Sequence, residues 1–198
     1  ADGTKFGKTE SGTVWLDPAM TSPYAFHQFF LNAEDAKVVE YLKIFTRRSA
    51  EEIEDLARQM REAPHLRAAQ RALADDITDV VHSPAERKAA AAAASAIFGR
   101  EDLGALPEAT LKAVVAELGT PPMRVGEELP TVVEVMATAG VVPSRSAARR
   151  AIDEGGAYLN NAKVTDPEAR LADSDLLYGR YVVVRRGRRT VGALAVER

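Results

Sequence analysis

Lys5 and Lys8, three residues apart in Lys5-Phe6-Gly7-Lys8-Thr9, are the residues whose type and spacing best suit chemistry. A lysine ammonium is a compact charge on a flexible stem, and Gly7 leaves the backbone between the two free to bend. Thr9 adds a hydroxyl, and Gly3 and Gly12 flank the stretch. Together they describe a mobile polar loop able to close over the oxygens of a polyphosphate. A plain solvated loop has the same composition, so the weight of the motif depends on its company. A P-loop is excluded. Gly3 to Thr9 spells G-x-x-x-G-K-T, one residue short of that motif, with only Ala1 and Asp2 where a strand is required.

A second set of residues suits anion binding. Arg145, Arg149 and Arg150 stand at i, i+4 and i+5 of a helix opened by Ser144, which gathers three guanidiniums on one face opposite Ala147, Ala148 and Ile152. The turn Arg185-Arg186-Gly187-Arg188-Arg189 adds four more, and Lys163 another cation. Guanidinium forks match phosphate oxygens, and neutralised phosphates release counterions, so such patches support salt-dependent RNA binding. His27, His65 and His82 lack metal spacing and an evident Asp or Ser partner, and read as surface or helix-packing residues. Asp75-Asp76 and Glu51-Glu52 read as structural, and no metal site is expected.

These residues need elements to hold them. Ser22-Pro23 reads as the cap and first turn of a helix carrying Phe26, Phe29 and Phe30. A second helix starts at Asn32 or Ala33, and Ser49 with Glu52 makes a capping box for a third. Pro64 begins a longer helix with the stripe Leu66, Ala69, Leu73, Ile77, Val80 and Val81. Ser83 to Glu86 caps the alanine run Ala89–Ala94, with a stop at Gly99, and a further helix ends at Gly119. The pattern then changes to two short helices, a hairpin turning at Asn160-Asn161, and two strands around Gly187. The expected class is mainly α: a loop over 1–16, a helical bundle over 17–118, a linker over 119–129, and a small α+β domain over 130–198.

Composition sets the outer bounds. The 198 residues suffice for one average domain or two small ones, and the 46% hydrophobic fraction supports a packed core. With no cysteine there are no disulfides and no thiolate metal sites, as in a reducing cytoplasm. No apolar run is long enough to cross a membrane. Net charge is −3, yet residues 130–198 hold 11 Lys and Arg against 8 Asp and Glu, a basic region on an acidic chain. The opening Ala-Asp-Gly, inside a motif, reads as part of a longer protein.

Lys5-Phe6-Gly7-Lys8-Thr9 resembles the second signature motif, KMSKS, of class I aminoacyl-tRNA synthetases, in the form found in the bacterial tyrosine-specific family. Trp15-Leu16-Asp17, Thr21-Ser22-Pro23-Tyr24 and Arg61-Glu62-Ala63-Pro64 agree with it. Ala139 to Arg150, continuing through Gly155 and Tyr158-Leu159-Asn160, resembles the S4 RNA-binding fold. One departure is Asn160-Asn161 where that fold usually turns at Asn-Gly, although Asn is the next best residue at positive φ.

The resemblance implies a ligase that activates tyrosine with ATP, carried as its Mg complex, and transfers it to tRNA(Tyr). It assigns Lys5 and Lys8 to the ATP phosphates, with Thr9 as a further donor. The bundle becomes an anticodon-side domain. The S4-like domain grips the long variable arm through Arg145, Arg149, Arg150, Lys163, Arg185, Arg186, Arg188 and Arg189. The resemblance also implies a cytoplasmic homodimer and an upstream Rossmann domain, without which this chain is inactive. The alternative is a non-catalytic S4-type RNA-binding protein or RNA modifier whose lysine loop only touches phosphate.

Overall fold

Local capping signals set most of the helix starts. The computed structural model describes residues 14–98, 102–119, 122–126 and 128–197. Ser22 Oγ accepts from the Ala25 amide, and Pro23 opens α1 (Pro23–Leu31). Ser49 and Glu52 close their capping box at the head of α3 (Ala50–Glu62), at 3.2 Å and 2.7 Å. Between them, α2 (Asp35–Phe45) starts later than expected. Asn32 is instead the residue that ends α1, its amide bonding back to Gln28, and Glu34 precedes α2.

The helix expected from Pro64 is also corrected. Pro64–Leu66 is a single 3₁₀ turn, and α4 (Ala68–Val81) begins only after Arg67, which sits in the left-handed region at φ 50°. Arg67 Nη2 donates to the carbonyls of Leu31 and Ala33 at 2.8 and 3.3 Å, anchoring the break to the end of α1. Leu66 and Val80, placed on the apolar stripe by spacing, are exposed. Helix α4 carries the core with Ala69, Leu73 and Ile77, against which α1, α2 and α3 pack Phe26, Phe30, Val38, Leu42 and Ile53.

Two of the three histidines are packed more closely than their spacing suggested, while His65 is exposed. His27 is 3% exposed, and its Nε2 lies 2.9 Å from Asp75 Oδ1, a partner 48 residues away. His82 meets the Phe26 ring edge-on, with centroids 4.8 Å apart.

Helix α5 (Pro84–Ile97) spans the division between two compact units, the first ending at Ala90 and the second starting at Ala91. In the second unit are α6 (Glu108–Glu117), β1 (Met123–Arg124), α7 (Val132–Thr138), α8 (Arg145–Asp153), β2 (Ala157–Leu159), β3 (Ala162–Lys163), β4 (Tyr181–Arg186) and β5 (Thr190–Glu197). The sheet order is β1-β5-β4-β2-β3, antiparallel except for β1, which runs parallel to β5. A strand therefore forms inside the segment expected as a linker.

Alternation in β4 divides the sheet into two faces. Val182 and Val184, with Leu194 opposite Val182, join the core built with α7 and α8. Tyr181, Val183 and Ala193 are just as buried but face the other way, where α6 lies against β4 and β5. Helix α6 thus packs on the sheet, ahead of the boundary expected after residue 118. At Gly192 the backbone of α7's end comes close, since a Cβ there would lie 2.6 Å from the Ala139 carbonyl oxygen.

Candidate nucleic-acid interface

Helix α8 presents the first group of cations. Ser144 caps it, its Oγ accepting from the Ala147 amide at 3.2 Å, and Ala148, Ala151 and Ile152 are buried beneath. Arg145, Arg149 and Arg150 take the opposite, exposed face. Two of the three are engaged. Arg145 Nη2 lies 3.2 Å from Glu134, and Arg149 pairs with Glu168. Glu168 raises the Arg149 guanidinium above its ordinary value, and Arg149 lowers the Glu168 carboxyl. Both side chains are well exposed, so a phosphate can displace the carboxylate at small cost. Arg150 has no carboxylate partner among the described residues.

The second group sits on the sheet. Asn160 and Asn161 both adopt positive φ, 46° and 69°, and make the two-residue turn between β2 and β3. Asn160 also braces β4, accepting from the Val183 amide at 2.9 Å and donating to the Asp175 carbonyl at 2.6 Å. Tyr158 on β2 lies opposite Lys163 on β3 and opposite Arg185 on β4, so the three share one face in a row. The hairpin between β4 and β5 closes through Gly187, Arg188 and Arg189, with Arg186 opposite Thr190. Lys163, Arg186, Arg188 and Arg189 are exposed.

Arg185 differs from the expectation of a surface cation. It is 8% exposed, its guanidinium carbon lies 4.2 Å from the Tyr158 ring centroid, and Nη1 donates to the Gly187 carbonyl. The signal was present in the sequence, because Arg185 repeats the parity of Tyr181 and Val183 in a strand apolar on both faces. Lys5, Lys8 and Thr9 lie outside the described residues. Among the described residues no cluster of His, Cys, Asp or Glu could hold a metal ion, and no helix is long and apolar enough to cross a membrane.

Residues 1–99 match the family described as tRNA synthetases class I (W and Y). The chain belongs to the class I tRNA synthetases. Residues 114–191 of this synthetase chain match the Tyrosine--tRNA ligase SYY-like C-terminal domain, a range that includes all eight candidate cations. The chain is 64% identical to the tyrosine–tRNA ligase of Cutibacterium acnes over 98% of its own length, covering 46% of that protein. It is 57% identical to that of Kineococcus radiotolerans over 99% of its length, again covering 46% of the relative. It therefore spans about half the length of the curated relatives it matches. A solved structure of a truncated Aspergillus nidulans mitochondrial tyrosyl-tRNA synthetase is 36% identical over 39% of this chain and 23% of that one, with a TM-score of 0.38.

Proposed function

We propose that the chain is the part of a tyrosine–tRNA ligase that supplies the KMSKS-like loop and the tRNA-binding units. The observation that carries this reading is the 64% identity to a protein named as that ligase, extending over 98% of the chain and so across both compact units. In the whole enzyme the tyrosine carboxylate attacks the α-phosphorus of ATP and pyrophosphate leaves. A ribose hydroxyl of the terminal adenosine of tRNA(Tyr) then attacks the tyrosyl carbonyl and releases AMP. Mg accompanies ATP as part of the substrate complex.

Negative charge builds on the phosphates as the α-phosphorus is attacked, so cations that close over them act mainly on the transition state. Lys5 and Lys8 serve there, Lys8 most directly, with Thr9 adding a hydroxyl donor. The helical unit faces the anticodon side. The mixed α+β unit is S4-like and takes the long variable arm through its exposed cations. The whole enzyme is a cytoplasmic homodimer, and this chain alone does not activate tyrosine. The alternative, a non-catalytic RNA-binding protein or RNA modifier, has less support because relatives across both units carry the ligase name.

The test is Lys8→Ala in the full-length enzyme, followed by tyrosine-dependent exchange of pyrophosphate into ATP. Losing one such donor costs about 3 kcal/mol, so exchange falls on the order of a hundredfold. Unchanged exchange removes the loop from the chemistry.

A further inference from the structure

The basic turn is held from beneath by a residue of its own kind. Arg185 is a cation 8% exposed, with no carboxylate partner among the described residues and a buried Nε that makes no hydrogen bond. Burying an unpaired guanidinium is costly, and solvated surface would accommodate it more cheaply. What receives it is the Tyr158 ring, 4.2 Å from its centre, and the Gly187 carbonyl. A ring face attracts a guanidinium most strongly where water is excluded.

That carbonyl belongs to the turn that carries Arg188 and Arg189. On its other side, the Gly187 amide donates to the Gly156 carbonyl at 2.8 Å, just past the end of α8. The turn is thus pinned at both groups of one peptide residue. Lys163 is two strands from Arg185 in the same row, about 10 Å away by strand spacing. Its amine lies over Gly155, where a Cβ would come within 2.7 Å of Nζ and where φ is already +70°. The end of α8, strand β3 and the basic turn therefore converge on Gly155-Gly156.

We infer that Arg185 is a positioning residue that sets the basic turn so that Arg186, Arg188 and Arg189 form one phosphate-binding edge with Lys163. This rests on the proposed RNA-binding role of the unit and assigns Arg185 no direct phosphate contact. Its charge matters less than its shape, since only a planar guanidinium both stacks on the ring and reaches the carbonyl.

The experiment measures affinity of the full chain for tRNA(Tyr) at several KCl concentrations. The variants are Arg185→Lys, Tyr158→Leu, Tyr158→Phe and the triple Arg186→Gln/Arg188→Gln/Arg189→Gln, each checked by circular dichroism to be folded at the assay temperature. Each lost phosphate contact flattens the salt slope by about one. Arg185→Lys and Tyr158→Leu should each flatten it by about one or more, and weaken binding about tenfold, although neither lowers the formal charge. Tyr158→Phe keeps the ring and should bind as the parent does. Parent-like binding by Arg185→Lys, or by Tyr158→Leu, overturns the positioning role and leaves Arg185 as a charge or a packing residue. An unaltered slope in the triple variant instead removes the RNA reading of this edge, whatever Arg185 does.

Discussion

Asp76 receives two nitrogens of Arg48, Nε at 2.6 Å and Nη2 at 2.8 Å, across 28 positions of sequence. The pair joins the loop after α2 to the outer side of α4, and each side chain is less than a third exposed. The carboxylate raises the Arg48 guanidinium above its ordinary value despite partial burial. Two-point, charge-assisted pairs are stronger than single surface contacts. We expect a coupling of about 1–2 kcal/mol from a double-mutant cycle of Arg48→Gln and Asp76→Asn, read by urea unfolding.

Leu73 is fully buried at the centre of α4 among Phe26, Val38 and Leu42. Leu73→Ala should destabilise the helical unit by about 2–5 kcal/mol, the range for a buried leucine that leaves a cavity. The loss should appear in the unfolding of that unit.

His82 supplies a pH dependence. Burial against Phe26 holds its imidazole below the usual value of 6.5, with Glu86 opposing weakly. The unfolded chain then takes up the proton first as pH falls. Stability is full above about pH 6.5, declines below it, and levels off once the pH passes the lower folded value. His82→Gln should flatten this decline in thermal melts taken between about pH 5 and 7.5. A decline as steep as the parent's would assign the proton to another group.

Gly192 tests the seam between β5 and the end of α7. Gly192→Ala places a Cβ 2.6 Å from a backbone oxygen and 2.9 Å from Val141, neither of which is a flexible side-chain end. The expected cost is about 1–3 kcal/mol, measured by unfolding of the α+β unit. Gly126→Ala, which meets nothing within 4 Å, is the matched control.

What could be read without the structure was what depends on neighbours in sequence. The caps at Ser22, Ser49 and Ser144 need only the next few residues, and so does the Asn160-Asn161 turn. The break at Arg67 was hidden because its cause, the carbonyls of Leu31 and Ala33, lies more than thirty positions away. The Asp75 partner of His27 was hidden for the same reason. Within the basic patch, residue type identified every cation, but type does not report burial. Arg185 and Arg186 are adjacent, yet strand parity sends the first beneath Tyr158 and leaves the second exposed.

The α6 side of the sheet bears on how this part of the chain can be inherited or excised. Tyr181, Val183 and Ala193 owe their dryness to α6, and Tyr178 donates to the Leu106 carbonyl just before that helix. A piece cut at Pro130 keeps every cation of the candidate interface but bares one apolar side of its sheet, and it should aggregate. A cut before Leu103 carries its own cover. The transferable module is larger than the part that bears the candidate cations, because part of what keeps it dissolved is encoded upstream of what makes it basic.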